Sequence, residues 1–223
     1  MAPDWHPLYV VKQHQLRMLQ RRGYTCPDAS LLDYTFDQFE AFYTGLLAQD
    51  PDLDLVSVLS TELEQPKKAL VWYTQQGSKE VCLDDVRALV DYVTEDDGTV
   101  RPYREVIVIS PGPMRAKAWT PLEALLRCGL RLQHFTYQEL SYDPLHHFLA
   151  CKHTRLSKKE AKAVYSALGA EPTCFPTIYT TDPTVKHLGF RAGDLVRIER
   201  PGLLALGLQG SVFYRRVAPG PKV

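Results

Sequence analysis

Apolar residues first recur at helical spacing between Leu8 and Arg22, through Val11, Leu16 and Leu19, and Gly23 supplies a stop. The cations Lys12, Arg17, Arg21 and Arg22 gather toward the far end, where they suit the negative end of the helix dipole and read as solvated helix termini. A second helix is predicted to start at Thr35, with Gln38 as its capping-box partner and Phe36, Phe39, Phe42, Tyr43 and Leu47 as its apolar face. From Leu53 the period becomes that of strands. Leu53 to Leu59 and Ala69 to Tyr73 read as two β segments, and Leu83 to Val93 returns to helical spacing. The run Val106-Ile107-Val108-Ile109 is apolar on both faces, as in a strand covered by helices on each side and paired in parallel. A helix after Pro113 reaches about Arg127, although Thr120-Pro121 is itself a start signal, and Leu130 to Phe135 reads as the next strand. The front is therefore expected to be an α/β domain: a mostly parallel sheet with flanking helices.

Further along, Ser157-Lys158-Lys159-Glu160 forms a capping box for a helix through Ala161, Val164, Tyr165 and Leu168, closed by Gly169. Asp182-Pro183 opens a two-turn helix that Gly189 ends. Ala192-Gly193 then turns the chain into a strand over Asp194 to Glu199, and Ser211 to Val217 reads as another. A small α+β domain follows from this series, small enough to need a partner surface for full stability.

Composition sharpens the division. The 223 residues are 45% apolar, enough to bury a core. They carry 26 basic and 26 acidic side chains, a neutrality that at first sight excludes a strongly basic nucleic-acid binder. Cutting at the turn Ser141-Tyr142-Asp143-Pro144 changes that picture. Residues 1–142 hold 14 basic and 20 acidic side chains, net −6, whereas residues 143–223 hold 12 and 6, net +6. Two domains with that boundary are expected. The five cysteines, Cys26, Cys82, Cys128, Cys151 and Cys174, suggest neither a disulfide framework nor a zinc ribbon, which fits a reducing compartment. Ala2 to Pro7 lacks a basic start and an apolar stretch, and the longest apolar runs are too short to span a bilayer, so a soluble, non-secreted protein without membrane partners is expected.

The search for chemistry finds no phosphate loop, dinucleotide fingerprint, serine elbow or paired-histidine zinc helix. His146, His147, Cys151 and His153 place potential zinc ligands within eight residues, but in no common zinc frame, so they read as ordinary loop and strand residues. A metal-dependent nuclease would need an Asp on one strand and an acidic-x-Lys triplet on the next. Asp52 or Asp54 with Glu62, Glu64, Lys67 and Lys68 are the candidates, and Glu64-Gln65-Pro66-Lys67 spoils the spacing with an extra residue and a proline. Lys158, Lys159 and Lys162 share a helix, and Arg197, Arg200, Arg215 and Arg216 flank the last strands. Contact with DNA or with an acidic protein neighbour would suit either group.

The second domain resembles the family that includes the shared fifth subunit of eukaryotic nuclear DNA-directed RNA polymerases and its shorter archaeal counterpart. The resemblance rests on Leu149 to His153, Ser157-Lys158-Lys159-Glu160-Ala161, Phe175-Pro176-Thr177-Ile178, Asp182-Pro183, Leu188-Gly189, Gly193-Asp194-Leu195-Val196-Arg197-Ile198 with Arg200-Pro201, and Tyr214-Arg215 with Val217. The front is similar to the N-terminal domain of the eukaryotic member through Arg22-Gly23-Tyr24, the Thr35 to Phe42 helix and the Glu105 to Ser110 strand. This resemblance implies a non-catalytic subunit with no cofactor, metal or small-molecule substrate of its own, residing in the nucleus. Its second domain would dock on the largest polymerase subunit, and its first would form part of the jaw beside downstream DNA, with transient DNA contact. The expected partner interface uses His153, Pro176, Asp182, Pro183, Gly189, Gly193 and Asp194.

The chain departs from the family where Cys151-Lys152-His153 replaces the usual proline-led triplet, in the longer apolar loop Gly202 to Gly210, and in the extension Ala218 to Val223. The loop is expected to be buried by a neighbouring subunit. A nuclease of related α/β architecture and a free-standing transcription adaptor are the alternative readings.

Overall fold

A computed structural model describes residues 4–50, 53–63, 68–74, 80–95, 98–200, 202 and 210–220. The chain divides into two compact units, Met1–Tyr142 and Asp143–Val223.

The first unit opens with α1 (Trp5–Arg21), which starts earlier than the expected Leu8 because the Asp4 side chain accepts from His6 N–H and caps it. Pro7 sits in the first turn, where no backbone donor is missed. Gly23, at φ +84°, donates to Gln20 O, and Tyr24 donates to Leu19 O, ending the helix as expected. α2 (Phe36–Gln49) carries the predicted capping box of Thr35 and Gln38. Of its aromatic stripe Phe39 and Tyr43 are buried, while Phe42 lies at the surface.

The segment Leu53 to Leu59 corrects the sequence reading. It forms a short helix, α3 (Leu55–Leu59), because Asp54 Oδ1 accepts from Ser57 N–H at 2.9 Å and so caps a first turn. The strand falls later, at β1 (Thr61–Leu63), antiparallel to β2 (Ala69–Tyr73). α4 (Leu83–Val93), β3 (Glu105–Ser110), α5 (Ala116–Arg127) and β4 (Arg131–Thr136) follow, with α5 running straight through Pro121. The sheet order is β1-β2-β3-β4, and β2, β3 and β4 are parallel. All six β3 residues are buried, as its two-faced apolarity requires. Val71, Tyr73, Ile107 and Ile109 pack with residues of α1 and α2, and Leu70, Val106 and Val108 with residues of α4 and α5. His14 Nδ1 meets Leu140 O at 2.7 Å, tying α1 to the last turn of the unit.

Two cations read as solvated helix ends are instead enclosed. Lys12 is fully buried, its Nζ 2.8 Å from Asp28 Oδ2 and donating to Leu59 O at 3.1 Å. Burial pulls its pKa down, and Asp28 opposes that pull. Arg22 lies 3.5 Å from Glu105, which also accepts from Tyr24 Oη at 2.6 Å and from Arg131 at 3.1 Å. Burial would raise the Glu105 pKa, but Arg22, Tyr24 and Arg131 together hold it below the ordinary carboxylate value. Helical spacing alone did not distinguish these positions from the exposed Arg17 and Arg21.

The second unit comprises β5 (Lys152–Arg155), α6 (Lys158–Leu168), β6 (Thr177–Tyr179), α7 (Pro183–Leu188), β7 (Leu195–Arg200) and β8 (Ser211–Ala218). The sheet order is β5-β7-β8-β6, antiparallel except for the β6/β8 pair. Val185, Phe190, Val196, Ile198 and Val217 form its buried cluster. The α/β unit followed by a small α+β unit agrees with the expected fold class. Among the described residues no helix is long and apolar enough to cross a membrane.

Candidate assembly surface of the second unit

Capping chemistry fixes the local frame. Ser157 and Glu160 cap α6 reciprocally, and this bond to Ser157 lowers the Glu160 pKa. Gly169 ends the helix at φ +57°. Asp182 accepts from Thr184 and Val185 N–H, Pro183 follows at the first helical position, and Gly189 closes α7 in the left-handed region. These predicted interface residues thus build a helix whose Val185 belongs to the core. Gly193, at φ +92°, donates to Val217 O at 2.9 Å, while Asp194 O accepts from Val217 N–H and Asp194 Oδ2 from Arg191 N–H. Gly193 and Asp194 therefore pin the turn before β7 to β8. Pro176 precedes β6, and its carbonyl accepts from Arg216 N–H. His153 lies on β5 opposite Ile198. Asp194 is joined to that strand by Arg155 at 3.9 Å, whereas Pro176 belongs to the opposite side of the sheet.

The surface around this frame is unusually apolar for a small unit. Phe148 is 78% exposed and Leu168 60%, and Leu149, Tyr179, Val212 and Phe213 are exposed as well. No α6 residue is buried, although its Ala161, Val164 and Tyr165 are partly covered. Interspersed cations complete the surface. Lys152, Lys158, Lys159 and Lys162 are exposed, and the Arg200 guanidinium lies over the Phe213 ring at 4.5 Å. An apolar, basic surface can bury itself against a larger acidic body.

Hydrophobic periodicity does not reveal β5 or Phe148. β5 has four residues and no apolar alternation, so its only signal was the resemblance covering Leu149 to His153, and nothing in the sequence around Phe148 marks that side chain as exposed. The expected burial of loop 202–210 lies outside the described residues apart from Gly202 and Gly210, and the extension is described only to Gly220.

Among the described residues the alternative chemistry is not assembled. His146 and His147 occupy exposed turns, and His153 Nδ1 donates to Cys151 O at 2.8 Å. Among the described residues no group of histidines, cysteines and carboxylates is placed to hold a metal ion. Asp54 caps α3, and Glu62 accepts from the hydroxyls of Tyr92 and Tyr103. Tyr103 and Tyr92 lower the Glu62 pKa. Asp52, Glu64 and Lys67 fall outside the described residues.

The second unit has relatives among known proteins. The family model for the C-terminal domain of RNA polymerase Rpb5 matches residues 142–217. The DNA-directed RNA polymerase subunit Rpo5 of Archaeoglobus fulgidus is 42% identical over 71 residues, 32% of this chain and 90% of that protein. Rpo5 of Thermofilum pendens is 41% identical over 79 residues, covering 35% and 95%. A match spanning both units is subunit RPABC1 of DNA-directed RNA polymerases I, II and III from Caenorhabditis briggsae, 22% identical over 199 residues, or 89% of this chain and 90% of that one. The basic, partly uncovered module and its relatives lead to one assignment: the chain belongs to the Rpb5/Rpo5 family of RNA polymerase subunits.

Proposed function

We propose that this protein is a non-catalytic structural subunit of a multisubunit DNA-directed RNA polymerase, working beside other polymerase subunits in transcription. The carrying observation is the second unit itself, which matches archaeal Rpo5 over nine-tenths of that protein's length while leaving large apolar side chains uncovered. The division of labour follows the units: residues 143–223 dock on the largest subunit, and residues 1–142 project as part of the jaw beside downstream DNA. The opposite charges support this reading, since a net +6 module suits an acidic protein body and a net −6 unit would meet passing DNA without retaining it. The docking frame uses His153, Pro176, Asp182, Pro183, Gly189, Gly193 and Asp194, chiefly by shaping the strands and turns described above. The working location is the nucleus, in keeping with the eukaryotic relative that spans both units.

Affinity purification of the tagged chain from its own cells tests the reading. The two largest polymerase subunits are expected in the eluate, and their absence would overturn it in favour of a free-standing adaptor.

A further inference from the structure

β5 is the outer strand of the second sheet, and among the described residues it pairs with β7 alone. Its register fixes where each backbone group points. Leu156 N–H donates to Leu195 O at 2.9 Å, so the alternation of an antiparallel ladder makes Thr154/Arg197 and Lys152/Glu199 the hydrogen-bonded pairs. The N–H and C=O groups of His153 and Arg155 therefore face away from β7, toward an open edge. Cys151 precedes the strand, and its carbonyl is held by His153 Nδ1–H at 2.8 Å.

The side chains divide by face. Lys152 and Thr154 lie on the face shared with Glu199 and Arg197, and Cys151 and His153 on the face shared with the buried Ile198. A mostly apolar hollow opens at the start of the strand, lined by Leu145, Ala150, Cys151, Lys152, His153 and Leu188. An unpaired backbone edge, an adjoining apolar hollow and the exposed Lys152 cation thus coincide.

We propose that β5 is a strand-addition site for an extended, acidic segment of a partner protein, one of whose apolar side chains fills the hollow. The charge argument selects this occupant. Lys152, exposed on the strand and lining the hollow within a module of net +6, favours carboxylates, and a second copy of β5 would bring like charges together, whereas Arg155 already faces Asp194. The proposal rests on the subunit reading and specifies how the second unit would dock.

Arg155→Pro removes an outward N–H while leaving the ladder to β7 intact, a position that tolerates proline in an edge strand. Arg155→Ala removes the same side chain and keeps the N–H. In affinity purification of the full chain, the proline variant should recover the largest polymerase subunits about tenfold less well than the alanine variant, the effect of one lost interface hydrogen bond. Equal recovery of the two variants, high or low, overturns strand addition and leaves the subunit reading standing. Absence of those subunits from the wild-type eluate overturns both. Hydrogen exchange on the wild-type chain tests the idea without a folding risk. The His153 and Arg155 amides should exchange about tenfold more slowly in the assembled polymerase than in the free chain. Unchanged exchange refutes the proposal, and so does slowing reproduced merely by concentrating the free chain, which would assign the edge to a second copy.

Discussion

The two units solve the problem of burying a sheet in different ways. In the first, β3 has an apolar cluster on each face, and the enclosure is deep enough to hold Lys12 and Glu105 with their partners. In the second, among the described residues, a single buried cluster of five serves a four-stranded sheet, and α6 buries none of its residues. Six large apolar side chains among the described residues are exposed in the shorter unit against four in the longer, so their density rises where the core is smallest. Phe148 and Leu168 find no cover within their own small unit. The difference teaches that the first unit covers its sheet on both faces, whereas the second leaves much of its apolar surface uncovered, as the proposed docking role would require.

Selective probes can break this comparison, because all three tryptophans, Trp5, Trp72 and Trp119, lie in the first unit. Tryptophan fluorescence therefore reports that unit alone. The largest effect is expected for Asp28→Ala, which strands the Lys12 cation in the core and should cost about 3 kcal/mol. Chemical denaturation followed by fluorescence checks it, and an unmoved fluorescence midpoint would show that the first unit does not depend on the pair.

Acid should act next. Glu105 has a folded-state pKa below its unfolded value, so its contribution is complete above the unfolded value of about 4.3 and is lost as pH falls through the folded one. The tryptophan transition should accordingly weaken from about pH 5 downward. Glu105→Gln should begin less stable yet lack that added slope. An identical slope in the variant would locate the acid sensitivity elsewhere.

The smallest effect belongs to the second unit. Ser157→Ala removes the α6 cap and should cost about 1 kcal/mol, visible in far-ultraviolet circular dichroism but silent in tryptophan fluorescence. A fluorescence shift of the same size would contradict the independence of the two units.

Legibility in the sequence followed the range of the interaction responsible. Thr35 with Gln38, Ser157 with Glu160, and Asp182 with Pro183 and Gly189 announced their helices because capping is settled within a few residues. The run from Val106 to Ile109 announced a central strand because burial on both faces leaves no polar alternation. Leu53 to Leu59 misled, since its alternating apolar residues suit either period and the decision rests on one Asp54 hydrogen bond. The enclosure of Arg22 depends on Glu105, which is distant in sequence and reaches it only once the sheet has formed. The proposed docking surface was legible as a familiar order of residues, yet those residues mostly shape its strands and turns. Its apolar content, Phe148, Leu168 and Phe213, becomes visible only when the fold fails to cover it.

The contact between His14 and Leu140 carries a consequence for synthesis on the ribosome. α1 contributes a side chain whose partner is translated 126 residues later. At about 5–20 residues per second, several seconds separate the two events. Until then α1 is held without its final latch, and the first unit completes itself only as the second begins to emerge. Vectorial synthesis thereby closes the first unit while most of the second is still to be made.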